Sequence, residues 1–299
     1  MVSIIILNYN TPGLVLQCLL SIKQYVINLS YEIIVVDNCS SEENWQTLQQ
    51  TLPPDVILVR AHYNYGFGAG NQLGAHYAKG EYLCFINSDV VFVEDCITPL
   101  ILYAKQHPDT TGCMTPQQLN RNMQRVPSFD HKPGIIHEII GKHPLERFLP
   151  KRYPKRKKIV YSSAFSVTMI TGCFMFFPSA VFWEVGGFDL NIFLYYEEID
   201  ICTRLRRKGY KSIYYPQVSF QHSQGESTNK QPSLTTIERY ISRLYCYKKH
   251  HTYGLYIIYY LINLVKLIFH PKRWFIFPFL LHGENMSHSM RHRKAMGKK

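Results

Sequence analysis

The chain has 299 residues, 46% of them hydrophobic, with a formal net charge of +12. That length can bury a sizeable core, and the lack of low-complexity tracts excludes a disordered or fibrous protein. The positive charge calls for an anionic partner: nucleic acid, acidic lipid headgroups or a phosphorylated substrate.

Charge is concentrated in two places. Lys142–Lys158 carries eight Lys or Arg, and the terminal RHRKAMGKK is basic again. Cys18, Cys39, Cys84, Cys96, Cys113, Cys173, Cys202 and Cys246 form no CxxC and no paired spacing. They read as reduced, mostly buried thiols of a cytosolic protein, and not as a disulfide framework or a zinc site. The opening MVSIIIL enters a strand directly, without the positive region of a signal peptide.

Ser3–Leu7 is a β-branched apolar run broken by Asn8-Tyr9-Asn10-Thr11-Pro12-Gly13, and Leu14–Val26 then has helical spacing. Glu32–Val36 predicts a second strand, closed by Asp37-Asn38-Cys39-Ser40-Ser41-Glu42. Val56–Arg60 predicts a third, followed by the glycine-rich Asn64–Asn71 and helical Gln72–Lys79. Tyr82–Ile86 is the next buried strand, and it ends abruptly in Asn87-Ser88-Asp89. Strand and helix alternating at this spacing predict an α/β fold, a mainly parallel sheet flanked by helices. Ligands of such sheets bind outside the carboxyl ends of the strands, where Asn, Asp and Ser recur here.

The glycines read Gly66-x-Gly68-x-Gly70 after the third strand, which excludes the dinucleotide fingerprint after a first strand. Ile97–Gln106 has helical spacing, Thr110–Val126 reads as irregular, and Pro127–Lys158 as a basic surface loop or lid. Val160–Met169 returns to strand-like sequence, and Ile170–Pro178 is a small-residue turn feeding a buried strand. Val181–Val185 starts a short helix ended by Gly186-Gly187. A helix is expected to begin near Glu197, placing Glu197, Glu198 and Asp200 in its first turn. The helix dipole favours one such acid; three leave a carboxylate available as general base. Ser212–Tyr215 and Val218–His222 complete the strands, with His222 at a strand end.

The ordered blocks SIIILNYNT, VVDNCSSE, NYGFGAGNQ, FINSD, TGCFMFFP, GGFDLNIFLYYEEIDICTRL and FQHSQGES resemble a family 2 glycosyltransferase of the GT-A fold. Within that family the chain is most similar to bacterial rhamnosyltransferase-type enzymes of surface polysaccharide synthesis. The resemblance covers residues 1 to about 228 and implies a catalytic domain there, followed by a helical extension over 229–299. It implies that Asn10 and Asp37 contact the nucleotide base, with Ser40 and Asn64 nearby and Asn8, Gly68, Asn71, Asn87 and Ser88 completing the nucleotide site. Asp89 would hold a divalent metal, Mn²⁺ or Mg²⁺, with His222 as a distal ligand. Glu198 falls on the family's general base, with Glu197 and Asp200 as alternatives, and Gly172, Gly187, Phe188 and Asp189 lie in the acceptor and sugar region. The chain departs from the family twice, with Asn87 for the first Asp of the DxD element and Glu198 for the base Asp.

The implied reaction is an inverting transfer of a sugar, with dTDP-L-rhamnose as donor or a UDP-hexose as runner-up. The acceptor would be a glycan or lipid-linked hydroxyl. A sugar-nucleotide-binding protein without catalysis is the alternative. Nucleic-acid binding is disfavoured because no strand interleaves basic and aromatic residues. In the extension, Thr235–His251 has helical spacing, and Tyr253–Phe269 is a 17-residue apolar run broken by Asn263 and Lys266. A spanning helix needs about 20 apolar residues. The run is expected to pack on the core or to lie on the anionic inner face of the bacterial membrane, as a peripheral cytoplasmic protein would, with a spanning segment as the third reading. The whole reading requires Asp89 and Glu198 to face one cleft.

Overall fold

The computed structural model describes residues 1–223, 232–281 and 289–290. The chain begins with β1 (Val2–Asn8), α1 (Pro12–Tyr25), β2 (Tyr31–Asp37), α2 (Glu42–Thr51), β3 (Val56–Arg60), α3 (Phe67–Tyr77) and β4 (Tyr82–Asn87). These apolar runs pair in parallel in the order β3-β2-β1-β4, Asn8 opposite Asp37 and Leu7 opposite Asn87. β5 (Val90–Phe92), α4 (Thr98–Gln106) and β6 (Thr111–Leu119) follow. Two short strands, β7 (Arg125–Val126) and β8 (Phe129–Asp130), then lead to α5 (Ile135–Ile140) and α6 (Lys142–Phe148). Next come β9 (Phe165–Val167), β10 (Met169–Ile170), β11 (Phe174–Pro178), α7 (Ser179–Glu184), α8 (Glu197–Arg207) and β12 (Lys211–His222).

The sheet continues past β4 with β11, β6, β12 and β5. β11 runs antiparallel to both β4 and β6, while β12 is parallel to β6. β6 and β12 therefore share the direction of β1–β4, and β11 is a reversed strand inserted among them. The result is an α/β fold with a mixed but mainly parallel sheet. One apolar cluster packs α1 and α4 on one face, and another packs α3, α7 and α8 on the opposite face.

Three segments depart from the expectation. Thr111–Leu119, read as irregular, is a central strand buried along its whole length. Its Pro116 lies where β12 bulges, since Tyr215 pairs with Pro116 and Ser219 with the next residue, Gln117. Proline tolerates such a bulge because no ladder N–H is required there. The same bulge explains why β12 reads as two runs. The glycine-rich segment passes from a short loop at Asn64–Gly66 into α3, which starts at Phe67 and not near Gln72. A Cβ on Gly70 would approach Leu7 Cδ1 at 2.6 Å, so the small residue lets α3 lie close on the sheet. The basic insertion is partly helical, with α5 packed against α10 and α6 against α5.

Those helices are α9 (Pro232–His250), α10 (Tyr253–Ile268) and α11 (Phe277–Leu281), with a 3₁₀ turn at Pro271–Ile276. They build a third apolar cluster around Tyr247, Tyr259, Leu267 and Ile276. α9 also docks on the catalytic half: Ser242 Oγ donates to the Leu194 carbonyl at 2.9 Å. The division expected near residue 228, and the basic tail at 291–299, lie outside the described residues. The eight cysteines are free, Cys39 half-buried and the rest buried.

Candidate active site

Because β1, β2, β4, β6 and β12 run one way, Asn8, Asp37, Asn87, Gln118 and His222 all arrive at one edge of the sheet. A cavity of about 580 Å³ opens there, a volume suited to a small ligand. Asn10, Asn38, Asn64, Asn87, Ser88, Asp89, Gly172, Glu197, Glu198 and His222 line it, together with Gln118, Cys173, Gly66 and Phe67. Asp89 and Glu198, remote in sequence, thus share one cleft.

The loops after β1 and β2 form one hydrogen-bonded unit. Asn8 Nδ2 donates to Asp37 Oδ1 at 2.8 Å and to Ser40 Oγ at 3.1 Å, and Ser40 N donates to Asp37 Oδ2 at 3.1 Å. Asn10 N donates to Ser40 Oγ at 2.8 Å, and Asn10 itself has φ 58°. Asn10, Asn38 and Asn64 reach the cavity. Asn8, Asp37 and Ser40 do not, since they are buried beneath it. Expected to touch the base, Asp37 instead fixes the loop that presents Asn10. Asn38 was not singled out by the sequence. It donates to Asn64 Oδ1 at 3.1 Å and to the Gly66 carbonyl at 3.0 Å, and accepts from Tyr65 N at 3.0 Å.

Ser88 and Asp89 form the turn after β4. His222 Nε2 lies 3.0 Å from Asp89 Oδ1, and the Gln118 amide holds the other ring nitrogen at 3.1 Å. Burial disfavours the charged imidazole, but contacts with Cys173 and the Asp89 carboxylate outweigh it and push its pKa up to about 10. Beside this pair, Asn87 Oδ1 is buried with no protein partner. A carboxylate, an unpaired amide oxygen and an imidazole that gives up its proton to an arriving cation form a set of oxygen and nitrogen donors that fits Mn²⁺ or a similar divalent cation. Gln118, absent from the sequence expectation, orients the ring of His222.

Across the cavity, Tyr195 and Tyr196 precede α8 with φ of 66° and 74°. Two successive non-glycine residues in the left-handed region are strained, and such strain collects at functional sites. They turn the chain so that Glu197 and Glu198 meet the cleft. Arg239 of α9 lies over the Tyr195 ring, 4.3 Å from its centroid. Burial pushes the Glu198 carboxyl up to about 7; nearby Asp130 adds to the shift, while backbone N–H groups and Arg239 oppose it. Glu198 keeps part of its surface in the cavity, whereas Glu197 is buried. Burial, then the Glu198 charge, raises Glu197 well above the carboxylate range, and its Oε2 has no hydrogen-bond partner. Burial thus favours the neutral form of Glu197, and Glu198, with surface in the cavity, is the carboxylate placed to exchange a proton with a ligand.

Six further expected site residues lie outside the cavity. Asp200 is fully buried and accepts from Arg204 Nε at 2.8 Å, Lys249 Nζ at 2.7 Å and His250 Nε2 at 2.7 Å. Burial alone would raise its pKa, but these partners hold it well below the usual range. Asp200 clamps α8 to α9. Cys246 lies within ligand reach of Asp200 and His250, but the Arg204 and Lys249 cations already occupy the carboxylate, which rules against a metal there. Asp189 similarly anchors α9, accepting from Lys249 at 2.7 Å and Tyr245 at 2.9 Å. Gly187 has φ 63° and adjoins the Gln72 amide, which accepts from Phe188 N at 2.9 Å; Phe188 packs edge-on against Phe85. Gly68 lies under Phe188, and Asn71 donates to the Phe67 carbonyl at 3.0 Å. Gly172 alone of the acceptor-region residues lines the cavity.

Asp200→Asn removes the buried charge that Arg204, Lys249 and His250 share, which costs about 1–3 kcal/mol by denaturant unfolding. Because its folded pKa is depressed, the stability it contributes is present above the unfolded carboxylate range and fades as pH falls toward the folded pKa. Turnover per folded molecule should fall far less than in a Glu198 variant.

The sequence profile of glycosyl transferase family 2 matches residues 3–186, most of the sheet and two thirds of the cavity lining. The chain belongs to that family. It is a glycosyltransferase, and a second profile, glycosyl transferase family group 2, matches residues 156–290. Among curated relatives, an N-acetylglucosaminyl-diphospho-decaprenol L-rhamnosyltransferase of Mycobacterium tuberculosis is 25% identical over 75% of this chain and 76% of its own length. Rhamnosyltransferase WbbL of Escherichia coli is 29% identical over 65% of this chain and 75% of its own. The solved structure of GalNAc-T7 with UDP, GalNAc and Mn²⁺ superposes with a TM-score of 0.58 at 16% identity, covering 81% of this chain and 47% of that one. A Pyrobaculum calidifontis mannosyltransferase in complex with GDP-Man and Mn²⁺ gives 0.54 at 16% identity, covering 82% and 63%. The chain thus spans about half to two thirds of these solved proteins, and at such identity they establish the glycosyltransferase fold alone.

Proposed function

We propose that this family 2 glycosyltransferase catalyses an inverting transfer of rhamnose from dTDP-L-rhamnose to a hydroxyl of a glycan or lipid-linked acceptor in bacterial surface polysaccharide synthesis. A UDP-hexose is the alternative donor. The observation that carries the reading is the cavity shared by Asp89 and Glu198. The relatives named as rhamnosyltransferases support the sugar, and the one named for a decaprenol-linked substrate supports the acceptor class.

Asn10, Asn38 and Asn64 offer amide and carbonyl groups to the nucleotide. Asp89, His222 and Asn87 would hold a divalent metal, which when bound neutralises negative charge on the donor diphosphate. Glu198, ionised, accepts the proton of the acceptor hydroxyl as that oxygen attacks the anomeric carbon, and the nucleoside diphosphate leaves. Neutral Glu197 adds no second negative charge beside the base. Positioning of the two substrates across the cavity supplies the remainder of the effect.

The enzyme would work at the cytoplasmic face of the membrane, where a lipid-linked acceptor is anchored. Among the described residues, no helix is long and apolar enough to cross a membrane. Thermal-shift screening of nucleotide sugars with and without Mn²⁺ or Mg²⁺ tests the assignment. A donor present at about 100 times its Kd should stabilise the protein by about 2.7 kcal/mol. The expected pattern is a metal-dependent response to dTDP-rhamnose above UDP-hexoses; no response to any nucleotide sugar would overturn the reading.

A further inference from the structure

α10 is apolar on two opposite sides. Tyr256, Tyr259, Asn263 and Leu267 face the third cluster, as expected for a helix docked on a core. Yet Leu255, Ile258, Leu261, Val265, Ile268 and Phe269 follow helical spacing on the other side and are all exposed, Phe269 by 76%. A helix apolar all round requires a second apolar neighbour.

The insertion beside it repeats the pattern. Ile135 of α5 packs into the α10 cluster, and Glu138 accepts from Lys266 of α10 at 2.6 Å and from Arg243 of α9. On the outward side, Ile136, Ile139 and Ile140 are exposed, and Phe148 and Leu149 after them are exposed by 74% and 49%. Trp274 and Phe275 of the 3₁₀ turn continue the apolar surface. Exposed apolar area on this scale marks a binding surface.

Charge identifies the partner. Residues 251–281 contain no Asp or Glu, and over 131–160 the two acids, Glu138 and Glu146, are engaged by cations. Arg147, Lys151, Arg152, Lys155, Lys157 and Lys158 flank the apolar residues of α6, and Lys272 and Arg273 flank Trp274; all are exposed. Interfacial tryptophan, aliphatic side chains and uncompensated Lys and Arg together suit an anionic bilayer surface.

We propose that the outward sides of α5, α6, α10 and the 3₁₀ turn form one composite platform that docks on an anionic lipid bilayer. The insertion and the C-terminal helices are halves of this platform, joined along the Glu138–Lys266 bridge. The insertion also reaches the active site. It begins at β8, whose Asp130 acts on Glu198 electrostatically and is held by Lys142 at 2.5 Å and Arg156 at 3.0 Å. Docking through α5 and α6 would therefore bring the catalytic base close to lipid-linked acceptors, a consequence that rests on the function proposed above.

The test is sedimentation of the full chain with vesicles of phosphatidylcholine, with and without phosphatidylglycerol. The wild type should bind the mixed vesicles selectively. Ile139→Ser with Phe148→Ser, and separately Ile258→Ser with Val265→Ser, should each weaken binding by about tenfold. Lys272→Gln with Arg273→Gln, which leaves the apolar residues intact, should weaken it by about fivefold per charge. Nucleotide-sugar thermal shifts verify folding of each variant and report separately on catalysis-related binding. Unchanged vesicle binding in the α5–α6 pair, with loss in the α10 pair, would overturn the composite platform. So would a serine variant that converts a dimer into a monomer without altering vesicle binding, since a second copy would then cover the surface. Vesicle binding with no nucleotide response in the wild type would sink the transferase reading and leave the platform standing.

Discussion

Glu198→Gln should abolish most sugar transfer, lowering turnover by about 10²–10⁴-fold while leaving the donor-induced thermal shift intact. The amide keeps the shape of the carboxyl and removes only its capacity to take a proton. Glu197→Gln should be mild by comparison. Burial and the neighbouring charge already hold Glu197 neutral, so the amide resembles the form present in the fold. If the two variants reversed this order, the base would be Glu197.

The pH dependence carries the same assignment. With its pKa near 7, Glu198 must lose a proton to act. The rate should rise with pH up to about 7 and then level, falling about tenfold one unit below the limb. The stability effect has the opposite sense. A carboxyl whose folded pKa exceeds its unfolded value stabilises the fold at low pH, and that contribution is lost as pH rises through 7. Glu198→Gln should therefore be more resistant to heat than the wild type above pH 7 while inert, a trade of stability for activity at a buried base.

The parallel strands were legible because their residues are locally unambiguous. EIIVV and YLCFI are buried on both faces and admit little else. The polar residues closing β1, β2 and β4 located the edge where the cavity forms. Asp89 and His222 stand out at strand ends, whereas the preference for Glu198 among three acids of α8 came from the resemblance to the family; all three residues line the cavity. β6 was not legible, since TGCMTPQQL has weak strand propensity and owes its conformation to β11 and β12 on either side. Gln118 was lost with it. Asp37 and Ser40 carry the residue types of a binding site, yet hydrogen bonding to Asn8 turns them inward. Asp200 shares the first turn of α8 with the cavity-lining acids. Only the fold shows that it meets Arg204, Lys249 and His250. The left-handed Tyr195-Tyr196 pair leaves no mark in sequence, because tyrosine is not a residue that selects that conformation.

Asp89→Ala should remove the metal-dependent part of donor binding and lower turnover by about 10²-fold or more. The loss would exceed that of an ordinary cavity residue because the proposed site has only one carboxylate. Asn87 is neutral, and His222 supplies no negative charge. With so little charge of its own, the protein should hold the cation weakly until the donor diphosphate brings more oxygen ligands. Metal titration followed by thermal shift would then show little stabilisation by Mn²⁺ alone and a large response with nucleotide sugar. Asn87→Asp supplies the complementary measurement. A second carboxylate beside Asp89 should raise affinity for Mn²⁺ without donor, because attraction to the cation grows with the charge of its ligands. Metal stabilisation that survives Asp89→Ala, or that ignores the added carboxylate, would place the cation elsewhere and leave Asp89 as the counter-ion of His222 alone.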